Sequence, residues 1–159
     1  VQFDEYKDLV AAAPNSLDGK IAYVSLRMAN NGLKGYGYAG QARRNGSVAA
    51  AKAGASAIII RSIGTDDNRT PHTGSMNYAD GVTKIPAAAI SNPDADLLDH
   101  ALKYGKPVTL HLEMSSYTLD PVVTYNVLGE ITGTDDPQKA VMIGAHLDSW
   151  DCPVYCIGA

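Results

Sequence analysis

The stretch Ala39-Gly-Gln-Ala-Arg-Arg-Asn-Gly-Ser-Val-Ala-Ala-Ala-Lys-Ala-Gly-Ala-Ser-Ala-Ile-Ile-Ile-Arg61 decides the fold. Its alanine-rich part, 39–55, has the composition of a helix whose small face can pack closely on a sheet. Because Asn45-Gly46 interrupts that part, we expect one helix to end near Arg44 and a second to run from Ser47 to Ala53. The apolar run that follows, 57–61, is typical of a strand buried on both faces.

A helix that feeds a buried strand is half of a βαβ unit, which indicates an α/β fold with a parallel sheet. The flanking segments support this interpretation, because strand and helix patterns alternate on both sides. We expect helices over 3–13 and 92–104, strands over 20–26 and 85–90, and a polar loop over 62–83. An unstructured loop of about 20 residues is uncommon in a compact domain, and such loops often bind or dock something.

The last third of the chain changes in pattern. Val108–Met114 alternates strictly between apolar and polar residues, as a strand with one wet face does. Two more strands are predicted over 122–131 and 140–146, joined by a segment with hairpin-loop chemistry. We expect these two terminal strands to pair with the sheet formed by the earlier part of the chain or with a second copy of the chain, or else to be disordered, because they expose edges and an apolar face.

Composition excludes several classes of protein. The 159 residues are 45% hydrophobic and 19% charged, with a net charge of −4, so no basic stripe indicates a nucleic-acid partner. No apolar run approaches the roughly 20 residues needed to span a bilayer. The chain begins at Val1 without an initiator methionine or a signal peptide, so we expect it to be processed or cut from something longer.

Two possible ligand sites are weak. Gly35–Gly40 has the spacing G-x-G-x-x-G, yet the predicted strand ends near Leu26 and no acidic residue follows about 20 residues later, so a dinucleotide site is not expected. His72 lies in the polar loop with acidic residues whose spacing fits no metal-binding loop that we can state. Those acidic residues are Asp66, Asp67 and Asp80.

The sharpest motif is Gly144-Ala-His-Leu-Asp-Ser-Trp-Asp151, where His146 and Asp148 follow an apolar strand. A strand that ends in a histidine and a carboxylate suits a metal site. An isolated His-x-Asp tripeptide is a weak signal for a metal site. Here it carries more weight, because it follows a predicted apolar strand.

That motif resembles the first metal-ligand motif of secreted zinc peptidases of the carboxypeptidase Q and bacterial zinc-aminopeptidase type. Four upstream segments resemble the protease-associated (PA) domain inserted in those enzymes, and the resemblance covers most of residues 3–151. The four segments are Arg43-Arg-Asn-Gly46, Ile60-Arg-Ser-Ile-Gly-Thr65, Pro71-His-Thr-Gly-Ser-Met-Asn-Tyr78 and Lys84-Ile-Pro-Ala-Ala-Ala-Ile-Ser-Asn-Pro-Asp-Ala95.

The resemblance implies a PA domain of swivelling β/β/α architecture over 1–118, the first strands of a zinc peptidase domain over 119–151, and a tail outside the family pattern over 152–159. His146 would bind one of two zinc ions, and Asp148 would orient it. The family's other ligands have no counterpart after Asp151, so we expect no zinc bound by this chain alone and no catalysis by it. Cys152 and Cys156 could form a crude soft site with His146, although Pro153 and the missing fourth ligand fit poorly.

The predicted function is therefore a non-catalytic PA region of a zinc exopeptidase, an amino- or carboxypeptidase, that mediates substrate access or docking. Two alternatives stay open, a free-standing peptide-binding or assembly module and a peptidase half completed by a second chain. The expected partner is a peptide substrate or a protein, with a homodimer through the terminal strands as a further possibility. By the same resemblance, the expected location is secreted, periplasmic or extracellular.

Overall fold

The computed structural model describes residues 1–30 and 35–147, and it divides into two units, Val1–Ser116 and Tyr117–Ala159. The first unit holds all of the helices and strands that are described. Its sheet has four parallel strands in the order β1-β2-β3-β4, and Ile59 in the third strand lies between Tyr23 and Ala88 of its neighbours. The strands are β1 Gln2–Phe3, β2 Ile21–Val24, β3 Ala57–Arg61 and β4 Ala87–Ile90.

Three helices cover the two faces of this sheet, α1 Tyr6–Val10, α2 Tyr36–Lys52 and α3 Asn92–Lys103. Helices α1 and α2 pack against one face, where Val24 and Ile58 lie in the main core. Helix α3 packs against the other face, where Tyr23 and Ile59 form a smaller core with Ala95. Successive strand residues point to opposite faces, and helices cover both faces, so all of β3 is buried. The predicted α/β class is confirmed.

The predicted break in the alanine-rich helix is wrong, since α2 runs without interruption through Asn45-Gly46. Gly46 is buried against the sheet, and a Cβ atom added there would lie 2.8 Å from Cδ1 of Ile58. The close approach of helix and strand therefore offsets the roughly 1 kcal/mol that a glycine costs inside a helix. Gly54, with φ of +84°, follows the helix as the predicted stop.

Two glycines of α2 are expected to respond in opposite ways to alanine. Gly46→Ala should lower the free energy of unfolding by about 1 kcal/mol, because overpacking against Ile58 outweighs the gain in helix propensity. Gly37→Ala should raise it by about 0.5 kcal/mol, because a Cβ there meets nothing within 4 Å. Urea denaturation of both variants measures the two shifts, and a stabilised Gly46→Ala variant would contradict the packing argument.

The N-terminal helix is shorter than the sequence predicted. Instead of a helix over 3–13, Gln2–Phe3 pairs with β2 as an edge strand and the helix begins only at Tyr6. The predicted strands 20–26, 57–61 and 85–90 and the predicted helix 92–104 differ from β2, β3, β4 and α3 by no more than two residues at each end.

The strands predicted over 108–114, 122–131 and 140–146 are not formed among the described residues. A strand needs a hydrogen-bonded neighbour, and none of these segments pairs with one. Their apolar side chains stay in solvent, as Ile131 at 99% exposed shows. The predicted bounds 1–118, 119–151 and 152–159 stay predictions. No described helix has the length and apolar character needed to cross a membrane.

Candidate functional site

The predicted polar loop begins at the carboxyl end of β3 and ends three residues before β4, without helix or strand. In parallel α/β sheets, ligands bind outside the carboxyl ends of the strands, so the position of this loop makes it a candidate site. We call residues 62–83 the docking loop, after the role that the sequence predicts for it. Its first residues, Ser62 to Gly64, are buried, and most of the residues from Thr65 onward are half-buried or exposed.

A buried arginine organises the end of the sheet from which the docking loop starts. The Arg61 side chain is 3% exposed, and its Nε donates to the Ser25 carbonyl at 2.9 Å. Its Nη1 donates to the Asn92 carbonyl at 3.2 Å and to Asp96 Oδ1 at 2.8 Å, and its Nη2 donates to Asp99 Oδ2 at 2.6 Å. One side chain therefore ties β2, β3 and α3 together.

Asp96 is shared between this buried arginine and a surface one. Arg27 Nη2 lies 2.5 Å from Asp96 Oδ2, and the Asp96 side chain is 54% exposed. Hydrogen bonds from Arg27 and from Arg61 hold the pKa of the Asp96 carboxyl below its usual value, against the opposing effect of burial. The carboxylate therefore stays charged beside the buried guanidinium over the neutral pH range.

Asn92 fixes the first part of the docking loop. This side chain is 1% exposed, and its Nδ2 donates to the carbonyls of Gly64 at 3.1 Å and Asp66 at 3.0 Å. Farther along the loop, the backbone N–H of His72 donates to Ser62 Oγ at 2.6 Å. Buried carbonyls need hydrogen-bond donors, and in the docking loop these bonds replace the backbone hydrogen bonds that a neighbouring strand would provide.

Helix α2 fixes the second part of the docking loop. The backbone N–H of Asn77 donates to the Arg44 carbonyl at 2.9 Å, and Ser47 Oγ donates to the Asn77 carbonyl at 3.2 Å. Ser47 is itself 2% exposed, so this anchor comes from the packed face of the helix. The loop is therefore held at both ends by the core although it has no regular structure.

Between these anchors, Arg43 of α2 meets the middle of the loop. Its guanidinium lies over the Tyr36 ring at 5.2 Å from the centroid and donates to the Tyr36 hydroxyl at 2.9 Å. It also donates to the Thr73 carbonyl at 3.3 Å. A Cβ atom at Gly74 would lie 2.8 Å from Arg43 Cζ, so the glycine lets the loop approach the guanidinium closely.

His72 lies beside this arginine, with its ring centroid 5.9 Å from that of Tyr36. Burial, followed by the charge of Arg43, lowers the pKa of His72 below its ordinary value, and Asp66 opposes that shift. The folded chain therefore favours neutral His72.

The shift in His72 predicts a pH dependence of stability. A histidine whose pKa is lower in the folded state binds more protons when unfolded. The contribution of His72 to the free energy of unfolding should therefore be fully present above about pH 6.5 and should decrease as the pH drops below that value. His72→Gln is expected to weaken the dependence of the unfolding free energy on pH below about pH 6.5. The matched control is His111→Gln, since the His111 side chain is 89% exposed. An unchanged slope in His72→Gln would count against this assignment.

The residues predicted from the sequence as metal ligands are not brought together by the described part of the chain. His146 is described and Asp148 lies outside the described residues, as do Cys152 and Cys156. Across residues 1–30 and 35–147, no three histidine, cysteine or acidic side chains are grouped so that they could hold a metal. The described residues therefore do not fit a zinc site, and His72 with its acidic neighbours does not form one either.

Comparison with known proteins completes the assignment. The family model of the PA domain matches residues 4–98, which contain the sheet from β2 onward and the docking loop. The chain belongs to the PA domain family. This confirms the resemblance inferred from the sequence for the first unit.

Several relatives that match this chain are named as peptidases. Carboxypeptidase Q of Mus musculus is 40% identical over 122 residues, which are 77% of this chain and 26% of that protein. Carboxypeptidase Q of Bos taurus is 35% identical over 146 residues, 92% of this chain and 30% of that protein. The crystal structure of a peptidase M28 precursor from Shewanella amazonensis is 52% identical, with a TM-score of 0.64 over 67% of this chain and 24% of its own. The chain thus spans roughly a quarter of the length of these relatives.

Proposed function

We propose that this chain is the PA region of a zinc exopeptidase, and that it controls substrate access or docking without performing the chemistry. The observation that carries the proposal is the docking loop, which presents exposed polar residues yet is anchored to the core by Asn92, Ser62 and Ser47. A loop held in one conformation loses less entropy on binding than a flexible one.

The peptidase part of the proposal is supported by how far the bovine match extends. It covers 146 residues and the first unit holds 116, so at least 30 matched residues lie beyond Ser116. Those residues include the apolar segments predicted as strands, in which Val122, Leu128 and Val141 are 84–94% exposed. Apolar surface of this extent is a feature of interfaces, and we propose that the remainder of a peptidase domain covers it.

The zinc chemistry belongs to that larger assembly. When bound, zinc would act as a Lewis acid and lower the pKa of a water molecule to about 7. In this chain, His146 would supply one ligand and Asp148 would orient its ring. A catalytic zinc needs about three protein ligands, and we propose that the remainder of a peptidase domain supplies the others. From the resemblance of the sequence, we propose a secreted, periplasmic or extracellular location.

A chimera tests this function. Residues 1–116 would replace the matching region of the Shewanella amazonensis peptidase, and a second chimera would carry a Gly/Ser linker in place of residues 65–81. We expect the intact chimera to hydrolyse peptides and the linker version to lose at least about tenfold in kcat/KM, with unchanged zinc content.

The control chimera replaces the exposed turn over 104–107, which lies outside the docking loop, and it should keep full activity. Equal kcat/KM for the intact and linker chimeras would show that the docking loop does not serve access or docking. Loss of zinc in the linker chimera would also contradict the proposal, because it would place the loop in the support of the metal site.

A further inference from the structure

An exposed apolar stripe runs along the side of α3 that faces away from the sheet. Leu97 and Tyr104 are 60% and 70% exposed, and His100 and Ala101 between them are exposed as well. These four residues follow the spacing i, i+3, i+4 and i+7, so they lie on one side of the helix. The opposite side of α3 packs on the sheet through Ala95. We call the four exposed residues the α3 stripe.

The aromatic end of the α3 stripe is held in place before any partner arrives. The rings of His100 and Tyr104 meet edge to face, with centroids 5.0 Å apart and planes at 84°, and His100 Nε2 lies 3.1 Å from the Tyr104 hydroxyl. A fixed tyrosine loses little entropy on binding, and tyrosine often dominates the binding free energy of an interface. Beside it, the small side chain of Ala101 lets a second helix approach closely.

The charges of α3 are divided along its length, and this division indicates which helix fits. Asp94 lies in the first turn and Asp96 soon after it, whereas Lys103 lies in the last turn. A second copy of α3 running in the opposite direction would bring its basic end beside the acidic end of the first, and a parallel copy would bring like charges together. Asp96 stays 54% exposed beside its arginines, and no ion pair within the described part of the chain uses Lys103.

Asp96 and Lys103 also define the register of such a helix pair. They are seven residues apart, about two helical turns, so they share one flank of the α3 stripe. In an antiparallel pair related by a two-fold axis, like flanks face each other. Asp96 of one copy then lies level with Lys103 of the other, and the axis passes beside His100. In that register, Tyr104 of each copy packs near Leu97 of the other.

We propose that the α3 stripe is a self-association surface, which binds the α3 stripe of a second copy of this chain in an antiparallel, two-fold symmetric pair. One helix of this length buries a small area, so the dimer is weak and reversible, with a Kd of about 0.1–1 mM. The proposal goes beyond the proposed function. It also differs from pairing through the C-terminal segments, because the surface belongs to the folded first unit.

Sedimentation equilibrium of the intact chain at pH 7 and low salt tests the dimer. The unmodified chain should follow a monomer–dimer equilibrium as its concentration rises to the millimolar range. Leu97→Lys should raise the Kd at least about tenfold, because it places a charge in the centre of an apolar contact. Lys103→Glu should raise it about threefold, and 0.5 M salt should weaken the unmodified dimer to a similar extent. Far-UV circular dichroism confirms that both variants fold.

Val123→Lys is the matched control, because Val123 is 81% exposed and lies in a C-terminal segment predicted as a strand. This variant should dimerise as the unmodified chain does. A chain that stays monomeric up to millimolar concentration, or a dimer that Leu97→Lys leaves intact, would overturn the proposal. A dimer that Val123→Lys dissociates and Leu97→Lys does not would assign the association to the C-terminal segments instead.

Oxidative cross-linking tests the position of the two-fold axis. In a chain that carries Cys152→Ser and Cys156→Ser, His100→Cys should form a disulfide-linked dimer, because the two copies of residue 100 approach within disulfide range. Lys52→Cys, which is exposed on α2 and therefore on the other side of the sheet, measures cross-linking by random collision. Equal cross-linking of the two variants would contradict the antiparallel α3 pair. Neither measurement involves catalysis or the docking loop, so their outcome is separate from that of the chimera.

Discussion

Arg61→Met is expected to lower the free energy of unfolding by about 3 kcal/mol, the low end of the range for removing one partner of a buried ion pair. The low end applies because Asp96 and Asp99 are 54% and 21% exposed and can regain water. The Ser25 and Asn92 carbonyls lose a donor as well. Urea denaturation at pH 7 measures the change.

Arg27→Met is the matched control for this prediction. Arg27 also pairs with Asp96, but its side chain is 45% exposed. Exposed ion pairs contribute about 0–1 kcal/mol, so this variant should remain within about 1 kcal/mol of the unmodified chain. If Arg61→Met costs no more than Arg27→Met, the buried network does not hold β2, β3 and α3 together.

Asn92→Ala is expected to cost about 2 kcal/mol and to release the first part of the docking loop. The reason is that the carbonyls of Gly64 and Asp66 lose the Nδ2 donor, and the bond to Gly64 is buried. Hydrogen exchange should accelerate for the amides of 64–72, and urea denaturation gives the loss of stability.

The control for Asn92 is Asn68→Ala within the same loop. Within the part of the chain that the structure describes, Asn68 Oδ1 accepts only the local N–H of Thr70, at 2.8 Å. This variant should change stability by no more than about 0.5 kcal/mol and leave exchange at 64–66 unaltered. Unchanged exchange in Asn92→Ala would mean that the docking loop keeps its conformation without this anchor.

The sequence predicted the elements whose patterns are local. Strand β3 is an apolar run that ends at Arg61, and α3 begins at Asn92-Pro93 with Ser91 as its N-cap. Both elements could be placed from the local sequence pattern alone. The sequence predicted two helices in place of α2. Gly46 fits inside α2 through its close contact with Ile58, and a contact between residues far apart in sequence cannot be inferred from the local pattern. The unpaired C-terminal segments show that alternation predicts a strand only where a neighbour is available.

The candidate site was less predictable than the fold. The docking loop was identified by its length and polarity, but the three side chains around it that organise the site, Arg61, Asn92 and Arg43, were not. Arg61 ends an apolar run, where a charge looks like the first exposed residue rather than a buried one. Only the approach of α3 supplies the carboxylates that make its burial tolerable.

A zinc titration with a peptidase assay on the same sample tests most directly whether this chain is a non-catalytic PA region. Isothermal titration of zinc into the chain is expected to show no tight stoichiometric binding, and peptide hydrolysis in the presence of zinc should equal the blank. Tight binding of one equivalent of zinc, with hydrolysis that disappears in His146→Ala, would contradict the account and make the chain a peptidase in its own right.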